Sequence, residues 1–289
     1  MIVNADDFGY AHGVNRAVER CFTEGIVRST SIMAGGSAFE HAAALSRRHP
    51  RLSVGAHLVL TKLRPVSEPE RLPGLVDSQG FLPPNPEALF RRLLLDRDAC
   101  SSVRRELDAQ MSRIADSGIR ITHVDSHKHV HLLPPVLHAV MELARRYSVQ
   151  WIRKPFEVGN GWVMGRGVAL SRKGVFWKQH LRSRAAVVFR PWFFRYLRTT
   201  GLRFPDHFHG VSLTGLWNEN TAIENVQRLA PGLNEWMFHP GEADEELQRM
   251  GTRLVRQREV EMNLLCSSRL REALEQGNIE LTSFGEVMD

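Results

Sequence analysis

The chain has 289 residues, of which 43 % are hydrophobic, and a formal net charge of +6. It is too long for a minimal domain and suits one large α/β domain or two small ones. No stretch approaches the ~18 uninterrupted apolar residues of a membrane-spanning helix, and the N-terminus lacks the basic and apolar regions of a signal peptide.

The first half of the chain alternates between patterns typical of strands and of helices. A strand-like opening over residues 1–5 is followed by the adjacent carboxylates of Asp6 and Asp7. Apolar residues then recur at helical spacing over 14–22, and Gly25 stands where a helix C-cap is expected. We further predict strands over 26–33 and 52–60, a helix over 38–48, and a helical stretch from 86 to about 116.

The second half continues this alternation. We predict strands over 119–125, 149–153, 211–213, 234–238 and 279–282, and helical segments over 134–147, 221–229 and 245–276. Six or seven strand–helix alternations predict a parallel sheet, open or closed into a barrel. In such folds the working residues lie at the C-terminal ends of the strands. Seven polar residues fall at or near that place: Asp6, Asp7, His57, Asp125, His127, Arg153 and His239.

The adjacent aspartates indicate a metal site. Two neighbouring carboxylates repel each other, so folding alone gives little reason to pair them. A metal site gives one reason, because one carboxylate can bind the cation while the other acts as a base. The alternative is a solvated Asp-Asp turn.

A run of alternating polar residues offers further ligands. If the chain is extended, every second side chain would share one side; these are His123, Asp125, His127, His129 and His131. Neutral imidazole is a common ligand for zinc and similar metals. Not all five can be ligands, so the others are expected to orient ligands or to touch substrate. The alternative is a polar loop with unrelated histidines.

His57 lies inside an apolar run and would be a structural core histidine if it stood alone. With Asp7 and His127 at neighbouring strand ends, it completes a His/His/Asp set that leaves positions open for water and substrate.

Two further strand ends carry candidate residues. His239 could protonate a leaving group, or it could cap a turn. Arg153 and Glu157 could orient a carboxylate or bind substrate, or they could form a surface ion pair.

Five motifs occur in a fixed order: Asn4-Ala-Asp-Asp-Phe-Gly9, Gly25-Ile-Val-Arg-Ser-Thr-Ser31, Gly55-Ala-His-Leu-Val-Leu-Thr61, Thr122-His-Val-Asp-Ser-His-Lys-His-Val-His131 and His239-Pro-Gly241. Together they resemble the YdjC family of carbohydrate deacetylases, which includes the chitooligosaccharide deacetylases. The resemblance covers nearly the whole chain except about 159–204. That segment and the overall layout are most similar to the hopanoid-biosynthesis deacetylase branch.

The resemblance implies a fold and a chemistry. The fold is a deformed (β/α) barrel of six or seven strands, a single domain over 1–289 with a basic, aromatic-rich helical insertion at 159–204. The chemistry is metal-dependent removal of N-acetyl groups from amino sugars.

The same resemblance implies roles for individual residues. Asp7, His57 and His127 match the metal ligands, Asp6 matches the base and His239 matches the acid. One divalent metal is expected, zinc first, with magnesium or nickel as alternatives. Lys128 stands where relatives can have another histidine. This difference removes no ligand, but the residues that orient the ligands are not implied by the resemblance. Substrate binding or ligand orientation is expected of Asp125, His129, His131, Arg153 and Glu157.

The expected substrate is an N-acetylglucosamine-type sugar on a glycolipid, such as an N-acetylglucosaminyl hopanoid. Soluble chitooligosaccharides are the alternative. Two alternatives belong to other functional classes. One is a metal-dependent phosphoesterase or nuclease, which would favour a second metal. The other is a non-catalytic sugar- or lipid-binding protein.

The insertion at 159–204 carries ten Lys/Arg residues and no acid, interleaved with apolar and aromatic residues. This composition predicts contact with an anionic membrane surface. The alternative is that its aromatics pack on the barrel. No nucleic acid is expected, because no recognised binding motif accompanies the charge. The sequence does not predict the oligomeric state.

The three cysteines, Cys21, Cys100 and Cys266, form neither a disulfide framework nor a Cys-x-x-Cys metal pair. We therefore expect a cytoplasmic protein, peripheral at the inner membrane if the insertion binds lipid.

Overall fold

A computed structural model of the protein describes residues 1–157, 159 and 161–288; Val158, Asn160 and Asp289 lie outside the described residues, the first two of them at the start of the predicted insertion. Its strands are β1 (Ile2–Phe8), β2 (Ser29–Ile32), β3 (Ser53–Leu58), β4 (His123–Ser126), β5 (Trp151–Ile152), β6 (His207–His209) and β7 (Asn234–Phe238). Within the described residues they form one sheet in the order β5-β4-β3-β2-β1-β7-β6, and every neighbouring pair is parallel. This confirms the predicted α/β fold.

Helices connect the strands. They are α1 (His12–Thr23), α2 (Phe39–Arg48), α3 (Pro86–Leu95), α4 (Arg97–Asp116), α5 (Pro134–Arg146), α6 (Gly161–Met164), α7 (Lys173–Ala185), α8 (Arg190–Leu197), α9 (Glu219–Val226), α10 (Glu245–Arg249), α11 (Arg256–Leu265) and α12 (Ser268–Gln276). Short 3₁₀ helices occupy Pro69–Arg71, His127–Leu132, Leu170–Arg172, Ala186–Phe189 and Glu286–Met288. Among the described residues, no helix combines the length and apolarity needed to cross a bilayer.

The sheet curls so that its two edges approach each other. Arg203, four residues before β6, forms a parallel bridge with Trp151 of β5. The N–H of Ile152 donates to the carbonyl of Arg203, and the N–H of Arg203 donates to the carbonyl of Gln150, both at 2.9 Å. The stretch leading into β6 therefore pairs with one edge strand, and β6 itself pairs with β7, as in a deformed barrel.

Strand β1 lies in the interior of the sheet, between β2 and β7, and all seven of its residues are buried. Strands covered on both faces are normally continuous apolar runs. Asn4, Asp6 and Asp7 depart from that pattern. Since buried polar groups are costly unless they have partners, these three residues mark the strand end where a polar site must lie.

Two of the predicted strands are wrong. Residues 211–213 form a turn, and the strand lies slightly earlier, in β6. The reason is Glu157, whose buried carboxylate accepts the backbone N–H of Gly210 at 2.9 Å and that of Ser212 at 3.1 Å. These amides are therefore not free for a sheet. The predicted strand over 279–282 is reduced to a single bridge between Thr282 and Ile2.

Two predicted helical stretches are divided. The stretch from 86 breaks at Asp96, whose side chain accepts the N–H of Asp98 at 2.8 Å and begins α4. The stretch over 245–276 becomes α10, α11 and α12. Gly251 has a φ of +60°, which ends the first of these segments, and Ser267 caps the last.

The insertion packs one face on the barrel and exposes the other. Phe176 and Phe193 are fully buried, in line with aromatic packing on the barrel. Trp192 is 49 % exposed and Val188 is 69 % exposed, so part of the apolar surface faces outward.

Candidate active site

The two adjacent aspartates lie where the pairing of β1 with β2 becomes irregular. The register shifts between Ala5 and Phe8, and Asp7 has a left-handed backbone with a φ of 70°. In a regular strand, Asp6 and Asp7 would point to opposite faces. Here both approach one imidazole: Asp7 Oδ1 is 3.3 Å from His57 Nε2, and Asp6 Oδ2 is 4.0 Å from His57 Nδ1. The solvated-turn alternative is wrong, because each aspartate is only 1 % exposed.

Three predicted ligands from separate strand ends come together. Asp7 lies at the end of β1, His57 on β3 and His127 directly after β4. Asp7 Oδ1 is 3.3 Å from both His57 Nε2 and His127 Nδ1. One ligand atom from each residue falls within 4.8 Å of the other two. Two imidazole nitrogens and one carboxylate oxygen form a donor set typical of zinc and similar cations.

The state of Asp7 Oδ1 shows that this trio suits a cation. Among the described residues, this buried oxygen accepts no hydrogen bond of good geometry and is approached by the two imidazole nitrogens at 3.3 Å, which leaves the carboxylate charge incompletely satisfied. His57 Nδ1 is already engaged, at 2.8 Å from Asp125 Oδ1 and 3.1 Å from Ser31 Oγ. Nε2 of His57 is left facing Asp7, the arrangement in which a carboxylate orients a metal-binding imidazole. The residues therefore fit a divalent metal ion.

His57 and His127 differ in protonation. Burial alone would lower the pKa of His57, but nearby carboxylates, first among them Asp125, raise it to about 10. Burial lowers the pKa of His127 in spite of its contact with Asp7. A cation at this site must therefore displace a proton from His57, whereas His127 already offers a neutral nitrogen.

Arg153 lies directly after β5 and organises three carboxylates. It is fully buried, and its Nη1 and Nη2 contact the two oxygens of Asp6 at 2.6 and 2.7 Å. Nη1 also lies 2.7 Å from Asp125 Oδ2, and Nε donates to Glu235 Oε1 at 2.6 Å. Arg153 therefore orients carboxylates, and the surface ion pair considered from the sequence is wrong.

The pKa values of this cluster follow its charges. Burial opposes ionisation of Asp125, but Arg153 and then His57 outweigh it and hold the Asp125 pKa below its usual range. Burial raises the pKa of Glu235 to about 7 in spite of Arg153.

Replacing Arg153 with lysine is expected to lower the free energy of unfolding by about 2–4 kcal/mol. Lysine keeps the charge but loses the planar fork, and a hydrogen bond to a charged group contributes about 1.5–3 kcal/mol. Urea unfolding of wild type and variant would measure the difference. The exposed Arg120→Lys is the matched control and should stay within about 0.5 kcal/mol of wild type. An equally small change in the free energy of unfolding of Arg153→Lys would contradict the conclusion that Arg153 orients the three carboxylates.

A second set of ligand-type residues, Asp6, His57 and Asp125, shares the site. Arg153 already binds both carboxylates of this set. A second cation there would oppose the guanidinium charge. Among the described residues, the geometry therefore favours one cation at this site over the pair expected of a phosphoesterase.

His239 directly follows β7 and is held by α11. Its backbone N–H donates to Glu261 Oε2 at 2.6 Å, and its buried Nδ1 has no partner among the described residues. Burial lowers the pKa of His239 to about 4, although Asp7 and Asp6 oppose this effect. Burial also raises the pKa of Glu261 to about 7. The His239 ring is therefore neutral near pH 7.

Sequence reasoning missed several residues that hold the site. Arg258 Nη2 lies 2.5 Å from Asp7 Oδ2, and Arg258 and Glu261 are both at most 2 % exposed. A signal was present, because Arg258 shares a helical face with Leu254, Met262 and Leu265. The contacts of three other side chains were not predicted. Asn4 donates to Asp6, Glu235 accepts from Arg153, and Ser31 donates to Asp125.

The alternating histidine run does not stay extended. Strand β4 ends at Ser126, and Lys128 and His129 adopt left-handed φ values of 56° and 55°. The expectation that five side chains share one side is therefore wrong. His131 turns back, with Nδ1 at 2.6 Å from Ser126 Oγ and Nε2 at 3.2 Å from the carbonyl of Arg153.

Other candidates lie outside the ligand trio. His123 stacks on Phe284 with ring centroids 4.0 Å apart, and burial lowers its pKa to about 3. His129 packs edge-on against Phe208 at 5.7 Å, and its buried Nδ1 has no partner among the described residues. Glu157 holds the turn after β6 through backbone amides.

The chain matches the model of the YdjC-like protein family over residues 1–276. It is 32 % identical over 292 residues to a carbohydrate deacetylase of Brevibacillus brevis, with 99 % of each chain covered. It is 34 % identical over 286 residues to a carbohydrate deacetylase of Geobacillus stearothermophilus, with 99 % of this chain and 96 % of that one covered. A chitooligosaccharide deacetylase of Enterobacter sp. (strain 638) shares 43 % identity over 162 residues, which is 52 % of this chain and 57 % of the relative.

A solved structure from Enterococcus faecalis V583, described as a cellobiose-phosphate cleavage protein, has a TM-score of 0.73 with 23 % identity. The match covers 99 % of this chain and 97 % of that chain, and it supports the fold. The relatives confirm the predicted family and the prediction of a hydrolytic enzyme, while the hopanoid-biosynthesis branch stays a prediction. The chain belongs to the YdjC-like family.

Proposed function

We propose that this protein removes the acetyl group from an N-acetylglucosamine-type sugar in a metal-dependent hydrolysis. The observation that carries the proposal is the convergence of Asp7 Oδ1, His57 Nε2 and His127 Nδ1, 3.3 Å from the carboxylate oxygen to each nitrogen, beside the Asp6 carboxylate that Arg153 orients. The names of the relatives, carbohydrate and chitooligosaccharide deacetylases, support this choice of reaction.

Asp7, His57 and His127 would hold the metal, with zinc expected first and magnesium or nickel as alternatives. When bound, a divalent cation polarises an acyl oxygen and acidifies a water molecule. We assign Asp6 to accept the proton of the attacking water, and the single orientation in which Arg153 holds both of its oxygens supports this role.

His239 is placed to serve the departing amine. Its ring is neutral near pH 7, so it must receive a proton before it can donate one. The unpartnered Nδ1 is available for that transfer, and Glu261 fixes the backbone that carries the ring.

Acetate release tests this proposal. Wild-type protein would be stripped with a chelator, reloaded with zinc, magnesium or nickel, and assayed on free chitooligosaccharides and on N-acetylglucosaminyl lipids. We expect little acetate from the stripped protein and recovery on reloading. Undiminished release from stripped protein, or release of phosphate from phosphoesters without acetate, would contradict the proposal.

We further propose that the sugar is lipid-linked and that the insertion contacts an anionic membrane. Phe193 of α8 packs toward the site, with ring centroids 6.5 Å from His131 and 5.3 Å from Phe156. The adjacent Trp192 and Val188 are exposed. An exposed apolar surface beside a side chain that contacts His131 and Phe156 supports a membrane-borne substrate.

The same surface carries positive charge. A groove of about 510 Å³ is lined by Val187, Arg190, Pro191, Phe194, Arg195 and Arg198. The lining contains three arginines and no acid, and the Arg190 guanidinium lies 5.5 Å from the ring centroid of Phe194. Arginine beside apolar side chains suits anionic lipid head groups. A glycolipid such as an N-acetylglucosaminyl hopanoid would account for both the sugar chemistry and this surface.

Flotation with liposomes tests the membrane contact. Wild type should float with vesicles that contain phosphatidylglycerol and release at high salt, because Lys/Arg attraction to anionic lipid is screened. The combined variant Trp192→Ser, Arg195→Ser and Arg198→Ser should lose most of this binding.

The matched control removes the same charge and one apolar side chain elsewhere. Arg91→Ser, Leu95→Ser and Arg97→Ser lie on or beside the exposed face of α3, where Leu95 is 80 % exposed. This control should float like wild type. Equal flotation of all three proteins, or none by wild type at low salt, would refute the membrane contact.

A further inference from the structure

We propose that Arg258 is a positioning residue that makes Asp7 a one-oxygen ligand. Nη2 of Arg258 lies 2.5 Å from Oδ2 of Asp7, whereas Oδ1 accepts no hydrogen bond of good geometry from the described residues and lies 3.3 Å from His57 Nε2 and His127 Nδ1. The two oxygens of one carboxylate therefore have separate tasks. The inference rests on the proposed metal site.

Arg258 is held in place through its Nε, its Nη2 and its backbone carbonyl, while Nη1 has no hydrogen-bond partner among the described residues. Arg258 is 2 % exposed, and its Nε donates to the carbonyl of Leu254 at 3.2 Å. The N–H of Gly241 donates to the carbonyl of Arg258 at 3.2 Å. A side chain at Gly241 would come within 2.9 Å of Arg258 Cδ, so this glycine makes room for the arginine. The ring of Tyr10 lies 5.9 Å from the guanidinium carbon.

The backbone of Asp7 also needs such support. Its φ of 70° is unusual for a residue with a side chain, and such conformations persist only where the surroundings over-determine them. A charge-assisted hydrogen bond to Oδ2 is among the stronger interactions available to a carboxylate. Arg258 therefore fixes which oxygen is turned toward the imidazoles.

The number of oxygens that Asp7 offers decides how many positions around a bound cation remain open. Carboxylates can bind a cation through one oxygen or two. With Oδ2 engaged by Arg258, only Oδ1 is left for the cation, so more positions remain for water and substrate. A residue that only neutralised a buried carboxylate would have no such effect on coordination.

Cobalt substitution reads coordination directly, without turnover. Stripped wild type, Arg258→Met and Arg258→Gln would each be loaded with one equivalent of Co²⁺, and their visible absorption spectra compared. Both variants free Oδ2, so we expect them to bind cobalt with a changed band position and intensity. Arg258→Lys restores a positive donor and should move the spectrum back toward wild type. In the zinc-loaded forms, acetate release by Arg258→Met should fall roughly 10–100-fold, the usual effect of losing a group that orients a ligand.

Arg256→Met is the matched control, because Arg256 is exposed on the same helix. It should keep the wild-type spectrum and turnover. A wild-type spectrum from folded, cobalt-loaded Arg258→Met or Arg258→Gln would overturn the inference. If wild type binds cobalt with a spectrum that depends on Arg258 but releases no acetate from any amino sugar, the proposed function fails while the role of Arg258 stands.

Discussion

Replacing His57 with glutamine is expected to leave the protein folded but nearly free of metal, with acetate release reduced by about 10³-fold or more. Glutamine fills the volume of the imidazole but offers no nitrogen lone pair opposite Asp7 Oδ1. A divalent cation bound there would supply several kcal/mol of charge stabilisation, and each ~1.4 kcal/mol is a factor of ten in rate. Metal content after dialysis and acetate release would both be measured.

The control for this variant is His138→Gln, which changes an exposed histidine on α5. It should keep equimolar metal and wild-type turnover. Stoichiometric metal in His57→Gln, or metal density away from Asp7 and His127 in a metal-soaked crystal, would remove His57 from the ligand set.

Replacing Asp6 with asparagine is expected to lower turnover by about 10²–10⁴-fold while metal content is retained. The change removes the proposed base but keeps the shape of the side chain, and general bases typically contribute this much. The fold should tolerate it, because Arg153 keeps Asp125 and Glu235 as partners. Metal analysis and kcat would be determined on the same preparation.

Asn4→Ala serves as the comparison for Asp6→Asn. Asn4 donates to Asp6 Oδ1 at 2.9 Å but cannot itself accept the proton as a carboxylate would. Its loss should reduce turnover far less than Asp6→Asn does. Turnover of Asp6→Asn within a few-fold of wild type would exclude Asp6 as the base.

The central residues were predictable because their signals are local. Asp7, His57 and His127 each lie at or just past the end of a strand, and parallel strands bring their C-terminal ends to one edge of the sheet. The parallel topology therefore brings together side chains that are 50 to 120 positions apart along the chain, with their ligand atoms within 4.8 Å of one another.

The supporting residues were harder to predict, because the local signals for them are weak. Arg258 and Glu261 look like ordinary surface charges on a helix until the packing of α11 shows them buried. Arg153 was predicted at a strand end. Its spacing in the sequence could not distinguish a surface ion pair from a buried arginine that binds three carboxylates.

The alternating histidine run shows a different limit of predicting structure from sequence periodicity. A period of two is typical of an extended chain, yet the left-handed φ values of Lys128 and His129 break it after Ser126. Neither residue type requires that conformation. It is set by long-range contacts such as the one from His131 to the Arg153 carbonyl.

The pairing of Arg203 with Trp151 has a consequence for how the insertion can change. Because Glu157 also holds Gly210 and Ser212, the intervening segment leaves the sheet and returns to it through a stem tied on both sides. Above that stem, Phe176 and Phe193 are fully buried and anchor the insertion, whereas Trp192 and Val188 are exposed. Exposed positions of this outer surface can therefore be exchanged while the stem and the buried aromatic residues keep the edges of the sheet together.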